Sequence, residues 1–118
     1  MKVRGKEIKF LRTVKTTCDL VELCPDKDIN RAAEIFDGDA SLTQKNAAIL
    51  IHSLNEGYEM NKHFDNPEYE PQVLSVEEIM YLDNETFTQL LQEAIKIFSA
   101  ELEPTVEAEK GKKKKKTV

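Results

Sequence analysis

Apolar and polar positions follow a helical period along most of this chain, and the exception lies at its start. Residues 2–12, Lys-Val-Arg-Gly-Lys-Glu-Ile-Lys-Phe-Leu-Arg, alternate weakly around Gly5. That pattern predicts two short strands joined by a tight turn near Arg4-Gly5-Lys6, with Val3, Ile8 and Phe10 on one face. So short a hairpin is marginal unless it packs on something else.

Thr13 to Leu23 carries Val14, Cys18, Leu20, Val21 and Leu23 at spacings that suit a short helix. Pro25 stops it, because proline lacks the backbone donor and restricts Cys24 before it. Asp26 or Asp28 can cap a second short helix through Ile29, Ala32, Ala33, Ile35 and Phe36. Asp37-Gly38-Asp39 then ends it, with Gly38 as a left-handed cap.

Ser41 or Thr43 is the expected cap of the longest helix, in which Ala47, Leu50, Ile51, Leu54 and Tyr58 share one face. Ala48 and Ile49 widen that stripe, which implies more than one neighbour or an oligomer interface. Gly57 costs about 1 kcal/mol relative to alanine, so fraying or bending is expected there, before His63. Residues 64–74 contain Pro67 and Pro71 and no helical period, and read as an extended surface connection. Ser75-Val-Glu-Glu78 has capping-box spacing and opens a short helix through Ile79, Met80 and Leu82. Asp83 or Asn84 caps the last helix, where Phe87, Leu90, Leu91, Ala94, Phe98 and Leu102 trace one face, flanked by Ile95 and Ile97, until Pro104. If left exposed, each large side chain of that face would forfeit roughly 1.5–3 kcal/mol, so something must cover it. The fold expected is mainly α: about five helices after a short N-terminal β-hairpin, a helical domain over 1–102, and a disordered tail over 103–118.

Composition adds one domain's worth of core and a segregated charge. At 118 residues, roughly two-thirds of the unfolded surface can be buried. Hydrophobic residues at 40% and charged residues at 33% describe a globular chain rather than a disordered one. Residues 1–110 hold 12 Lys or Arg against 22 Asp or Glu, a net of −10, and Lys112 to Lys116 bring the whole chain to −5. An acidic body repels phosphates, so nucleic acid is not the expected partner. Five adjacent lysines repel one another and are expected to stay solvated. The longest apolar run, Ala47 to Ile51, falls far short of the roughly 20 residues that span a bilayer. With no secretion-like start either, the expected location is intracellular, with no membrane partner.

Reactive chemistry is thinly represented. Cys18 and Cys24 read as small apolar packers. Neither they nor His52 and His63 have the close paired spacings of a zinc site, so no metal ligand is assigned. The glycines at 5, 38, 57 and 111 form no phosphate loop, and no serine nucleophile elbow occurs. Carboxylates such as Glu77-Glu78 and Asp37/Asp39 read as helix-start and turn residues. No catalytic residue and no cofactor are expected, and the chain reads as a binding protein rather than an enzyme.

Four segments then carry a resemblance: Cys18-Asp-Leu-Val-Glu-Leu-Cys-Pro-Asp-Lys-Asp-Ile-Asn-Arg31, Leu54-Asn-Glu-Gly-Tyr-Glu59, Asn66-Pro-Glu-Tyr-Glu-Pro71 and Leu74-Ser-Val-Glu-Glu-Ile79. In their order and flavour they resemble the tail assembly chaperones of long-tailed bacteriophages and prophages of Gram-positive bacteria. The resemblance implies a small helical protein of the host cytoplasm that forms a homo-oligomer and is absent from the mature virion. It implies that the chaperone coats the tape-measure protein and keeps it soluble while tail-tube protein polymerises around it. It also implies a longer product, made by ribosomal slippage near the end of the frame, that recruits tail-tube protein. Gly111-Lys112-Lys113 can be encoded by a slippery heptamer, which makes the lysine run a trace of an RNA signal. The broad apolar stripes offer Leu50, Leu54, Tyr58, Leu91, Ile95 and Phe98 as the expected partner or self-association surface. The alternative is a small nucleic-acid-binding regulator, using the helix pair at 14–36 and the lysine tail.

Overall fold

The computed structural model describes residues 1–36 and 40–102. Within them the protein is mainly helical. Strands β1 (Lys2–Val3) and β2 (Lys6–Glu7) pair antiparallel, Lys2 opposite Glu7 and Val3 opposite Lys6. Arg4 and Gly5 between them have φ of 52° and 80°, the two positive values that a two-residue hairpin turn needs. The packing partner this hairpin requires is present. Val3 and Ile8 are buried in the core, Phe10 packs against it, and Arg4 donates to Glu78 O at 3.2 Å.

Helix α1 (Val14–Val21) begins at Thr13, whose hydroxyl accepts from Thr16 N while its own N–H donates to Thr16 Oγ1. The face it buries differs from the sequence reading. Thr16 and Leu20 point inward, whereas Val14 and Cys18 are exposed. Cys18 is therefore not a packing residue, although Cys24 is. The reason is the entry point: capping by Thr13 sets the helix phase, and the spacing 16, 20, 24 follows it inward.

The second helix is a pair of 3-10 segments, Pro25–Lys27 and Ile29–Phe36, rather than an α-helix. Ile29, Ala32 and Ile35 stand three apart, which is one row of a 3-10 helix and only an approximate row of an α-helix. Of the two candidate caps, Asp28 takes the role, accepting from Asn30 N at 3.0 Å. Arg31 binds both Glu34 oxygens at 2.8 Å and Asp26 at 2.9 Å, tying the two segments together. The predicted stop at Asp37-Gly38-Asp39 lies outside the described residues, as do Pro104 and the whole 103–118 tail.

Helix α2 (Ala40–Asp65) is the spine, packed against α1, the 29–36 segment, α3 and α4. Ser41 and Thr43 lie inside it and so are not its cap. It runs through Gly57 to Asp65 without the predicted fraying. Gly57 is there for space: a Cβ at this position would sit 2.5 Å from Leu11 O. The incoming chain thus lies directly on α2, and Leu11 N donates to Leu54 O at 3.0 Å. Leu50, Ile51 and Leu54 are fully buried together with Leu20, Leu74, Ile79 and Leu90.

Helices α3 (Val76–Met80) and α4 (Asn84–Leu102) start where the sequence places them. Ser75 and Glu78 cap reciprocally at 2.9 and 3.0 Å, and Asp83 accepts from Thr86 N at 3.0 Å. Leu90, Ala94 and Phe98 carry α4 onto the core.

Candidate functional site

The row of α2 residues 52, 55, 59 and 63 has helical spacing and is polar, and it binds the connection between α2 and α3. His52 Nδ1 bonds Leu74 O and His63 Nδ1 bonds Tyr69 O, each at 2.7 Å. A carbonyl only accepts, so both rings carry the proton on Nδ1. Asn55, fully buried, accepts from Leu74 N at 2.8 Å and donates to Lys9 O at 3.0 Å. Buried Glu59 accepts from the Tyr69 hydroxyl and from Gln72 N at 2.9 Å. The carboxylate beside it pushes the Tyr69 phenol up to about 12, because the hydroxyl is held as donor. Residues 66–74 are the extended surface connection that the prolines predict, and these bonds stitch it to α2 as a strap, with Leu74 fully buried. Each of these four side chains has a structural partner. The signal for it was legible as a polar stripe beside the apolar one.

The surface that stays open lies on the other side of α2. The chain crosses α2 at Gly57 and turns into α1 at Thr13, leaving a groove of about 580 Å³ between the 11–15 segment and the 53–64 face of α2. Its walls include Leu11, Val14, Met60 and Phe64. Val14 is 82% exposed and Phe64 70%, unusual for side chains this apolar grouped around one concavity. Lys15 donates to both Asp19 oxygens, at 3.1 and 3.2 Å, and Asp19 in turn accepts from Ser53 at 2.8 Å. The Lys15 ammonium also stands 3.2 Å from Glu56 Oε1, yet that buried oxygen accepts no aligned hydrogen bond. Asp19 first and Glu56 second hold the Lys15 ammonium above its ordinary pKa.

The partner surface read from the sequence divides under this geometry. Leu50 and Leu54 are fully buried and Phe98 nearly so, all within the chain's own core. Arg12 closes over Phe98, 4.3 Å from the ring centre, and donates to its carbonyl at 3.2 Å. These three are corrected from surface to core: the stripe is broad because α2 meets several elements of its own chain. Tyr58 and Leu91 are half-buried, and Ile95 is 40% exposed. Val14 and Phe64, which present apolar surface at the groove, escaped sequence reading because one was assigned to an inward face and the other to a loop. Gly111, Lys112 and Lys113 lie outside the described residues.

Among the described residues no three His, Cys, Asp or Glu side chains gather as a metal site, and no helix is long and apolar enough to cross a membrane. The 14–36 region holds one α-helix followed by 3-10 segments, so it offers no second α-helix to lay in a nucleic-acid groove. Comparison with protein-family models, with curated proteins and with solved structures finds no match to this chain.

Proposed function

We propose that this protein is a tail assembly chaperone of a long-tailed bacteriophage or prophage, acting without chemistry of its own. In the host cytoplasm it self-associates and holds the tape-measure protein soluble while tail-tube protein polymerises around it, and it is left out of the finished virion. The observation that carries the reading is the groove with Val14 and Phe64 exposed on its rim. Helix-in-groove recognition needs such a concave apolar surface, and an extended amphipathic client needs its apolar face covered. The net charge of −10 over residues 1–110 keeps a loaded assembly soluble. A longer product, made by slippage near Gly111-Lys112-Lys113, joins the client complex to tail-tube protein.

Co-expression with a tape-measure fragment tests the central claim. The fragment is expected to move into the soluble fraction with wild-type protein and to stay insoluble with a Val14→Asp, Phe64→Ala double variant. A fragment equally insoluble with wild-type protein and without it would sink the reading. The slippage claim is separable. Recoding codons 111–113 synonymously is expected to abolish the longer product and leave the shorter one's folding unchanged.

A further inference from the structure

Charge is divided a second time within the acidic body. Residues 1–15 hold six Lys or Arg against one Glu, a net of +5, whereas residues 63–95 hold eight Asp or Glu and no Lys or Arg. The fold sets the two segments side by side. Arg4 in the hairpin turn donates to Glu78 O at 3.2 Å, and the Lys6 ammonium stands 3.8 Å from Glu78 Oε1. That contact uses Glu78 and leaves much of both signs unmatched. Glu7, the one carboxylate of the basic segment, is bonded to the N-terminal ammonium at 2.6 Å. Lys2, Arg4 and Lys9 are exposed and form no salt bridge among the described residues. Across the contact, Glu77 and Glu85 are exposed and equally without one. Between them Met80 is 47% exposed and Tyr81 78%.

We propose that a second copy of this chain docks on this face across a two-fold axis. Each hairpin, with Lys2 and Arg4, sits on the other copy's α3 end, around Glu77, Met80, Tyr81 and Glu85. Two bodies of net charge −10 repel, so copies approach best where one of them presents positive charge, and the hairpin concentrates it. Both signs share one face, so a single two-fold rotation lays each over its opposite and the pair closes with no free end. Met80 and Tyr81 supply the apolar centre, methionine and tyrosine being enriched at such interfaces. None of these residues lines the groove beside α2, so the dimer leaves it open to a client. The inference rests on the self-association proposed above and adds the surface that performs it.

Sedimentation equilibrium of the full chain tests this with Arg4→Glu, Glu77→Arg and Tyr81→Ala, each checked for native circular dichroism. If Arg4→Glu loses the native spectrum, Lys2→Glu takes its place. Wild-type protein is expected to be a dimer. Arg4→Glu and Glu77→Arg should each weaken it about tenfold, because like charges then face each other twice. Tyr81→Ala should weaken it by a similar factor of about ten. An equimolar mixture of Arg4→Glu and Glu77→Arg pairs opposite charges at both contacts, and should associate within about threefold of wild type. A monomeric wild type would overturn the proposal, as would a dimer indifferent to these substitutions or a mixture no tighter than its components. Assembly that keeps growing with concentration would exclude the two-fold. If Val14→Asp dissociates the copies and Tyr81→Ala does not, the groove is the interface and the proposal falls. Should the mixture restore the dimer while a tape-measure fragment stays insoluble, the phage reading fails and this inference stands. A fragment solubilised by a monomer gives the reverse.

Discussion

Gly57 shows how a residue's role can reverse between propensity and packing. By helix propensity alone, Gly57→Ala should stabilise α2 by about 1 kcal/mol. The Cβ would instead meet Leu11 O at 2.5 Å and Thr13 Cγ2 at 2.9 Å, one of them backbone that cannot swing aside. Gly57→Ala is therefore expected to lower stability by about 1–3 kcal/mol, read from the urea midpoint, and to reshape the groove beside it. Tyr69 makes a second prediction at this scale. Its folded pKa of about 12 lies above its ordinary 10.0, so the neutral phenol is favoured in the folded state. The stabilisation is whole below the ordinary pKa and is lost as pH rises from there through about 12. A phenolate absorbance titration should show a late step, and Tyr69→Phe should remove it.

At the scale of elements, the helix starts depend on charge at low pH. The Glu78 carboxylate is held below its ordinary range first by the Ser75 backbone amide, with Lys6 adding to the effect. Asp83 is held low first by the backbone N–H of Thr86. A lowered folded pKa means stability that is complete above the ordinary carboxylate pKa and is lost as pH falls through the folded one. Amide protection at the starts of α3 and α4, taken relative to the intrinsic exchange rate at each pH, should therefore fall as the medium is acidified below about pH 4. Asp83→Asn, which still accepts a capping bond, should flatten that response for α4. Absence of any acid response at both starts would show that these caps contribute nothing through their charge. The strap's own residues do not announce its order; the only trace is the polar stripe on α2, because its anchors Asn55 and Glu59 sit on that other element.

For the whole molecule, the division between core and open surface predicts opposite outcomes for similar substitutions. Leu54→Ala empties a fully buried position at the centre of α2 and is expected to cost about 2–5 kcal/mol. Phe64→Ala removes a larger side chain, yet one that is 70% exposed, and should change stability by only about 0.5 kcal/mol. Thermal or chemical denaturation of the two variants checks the pair. If Phe64→Ala proves as damaging as Leu54→Ala, the groove is part of the core and not a binding surface.

The sequence by itself determined the mainly helical class, the N-terminal hairpin with Val3 and Ile8 inward, and the starts of α3 and α4. These follow from local causes: a hydrophobic period, a turn glycine, and capping side chains that act within three residues. Tertiary contact alone decided which face of α1 turns inward, why α2 needs Gly57, and that residues 66–74 are strapped down. It also moved the candidate surface from Leu50, Leu54 and Phe98 to Val14 and Phe64. Broad apolar stripes look alike whether they meet a partner or their own chain, and only the positions of the other elements tell the two apart.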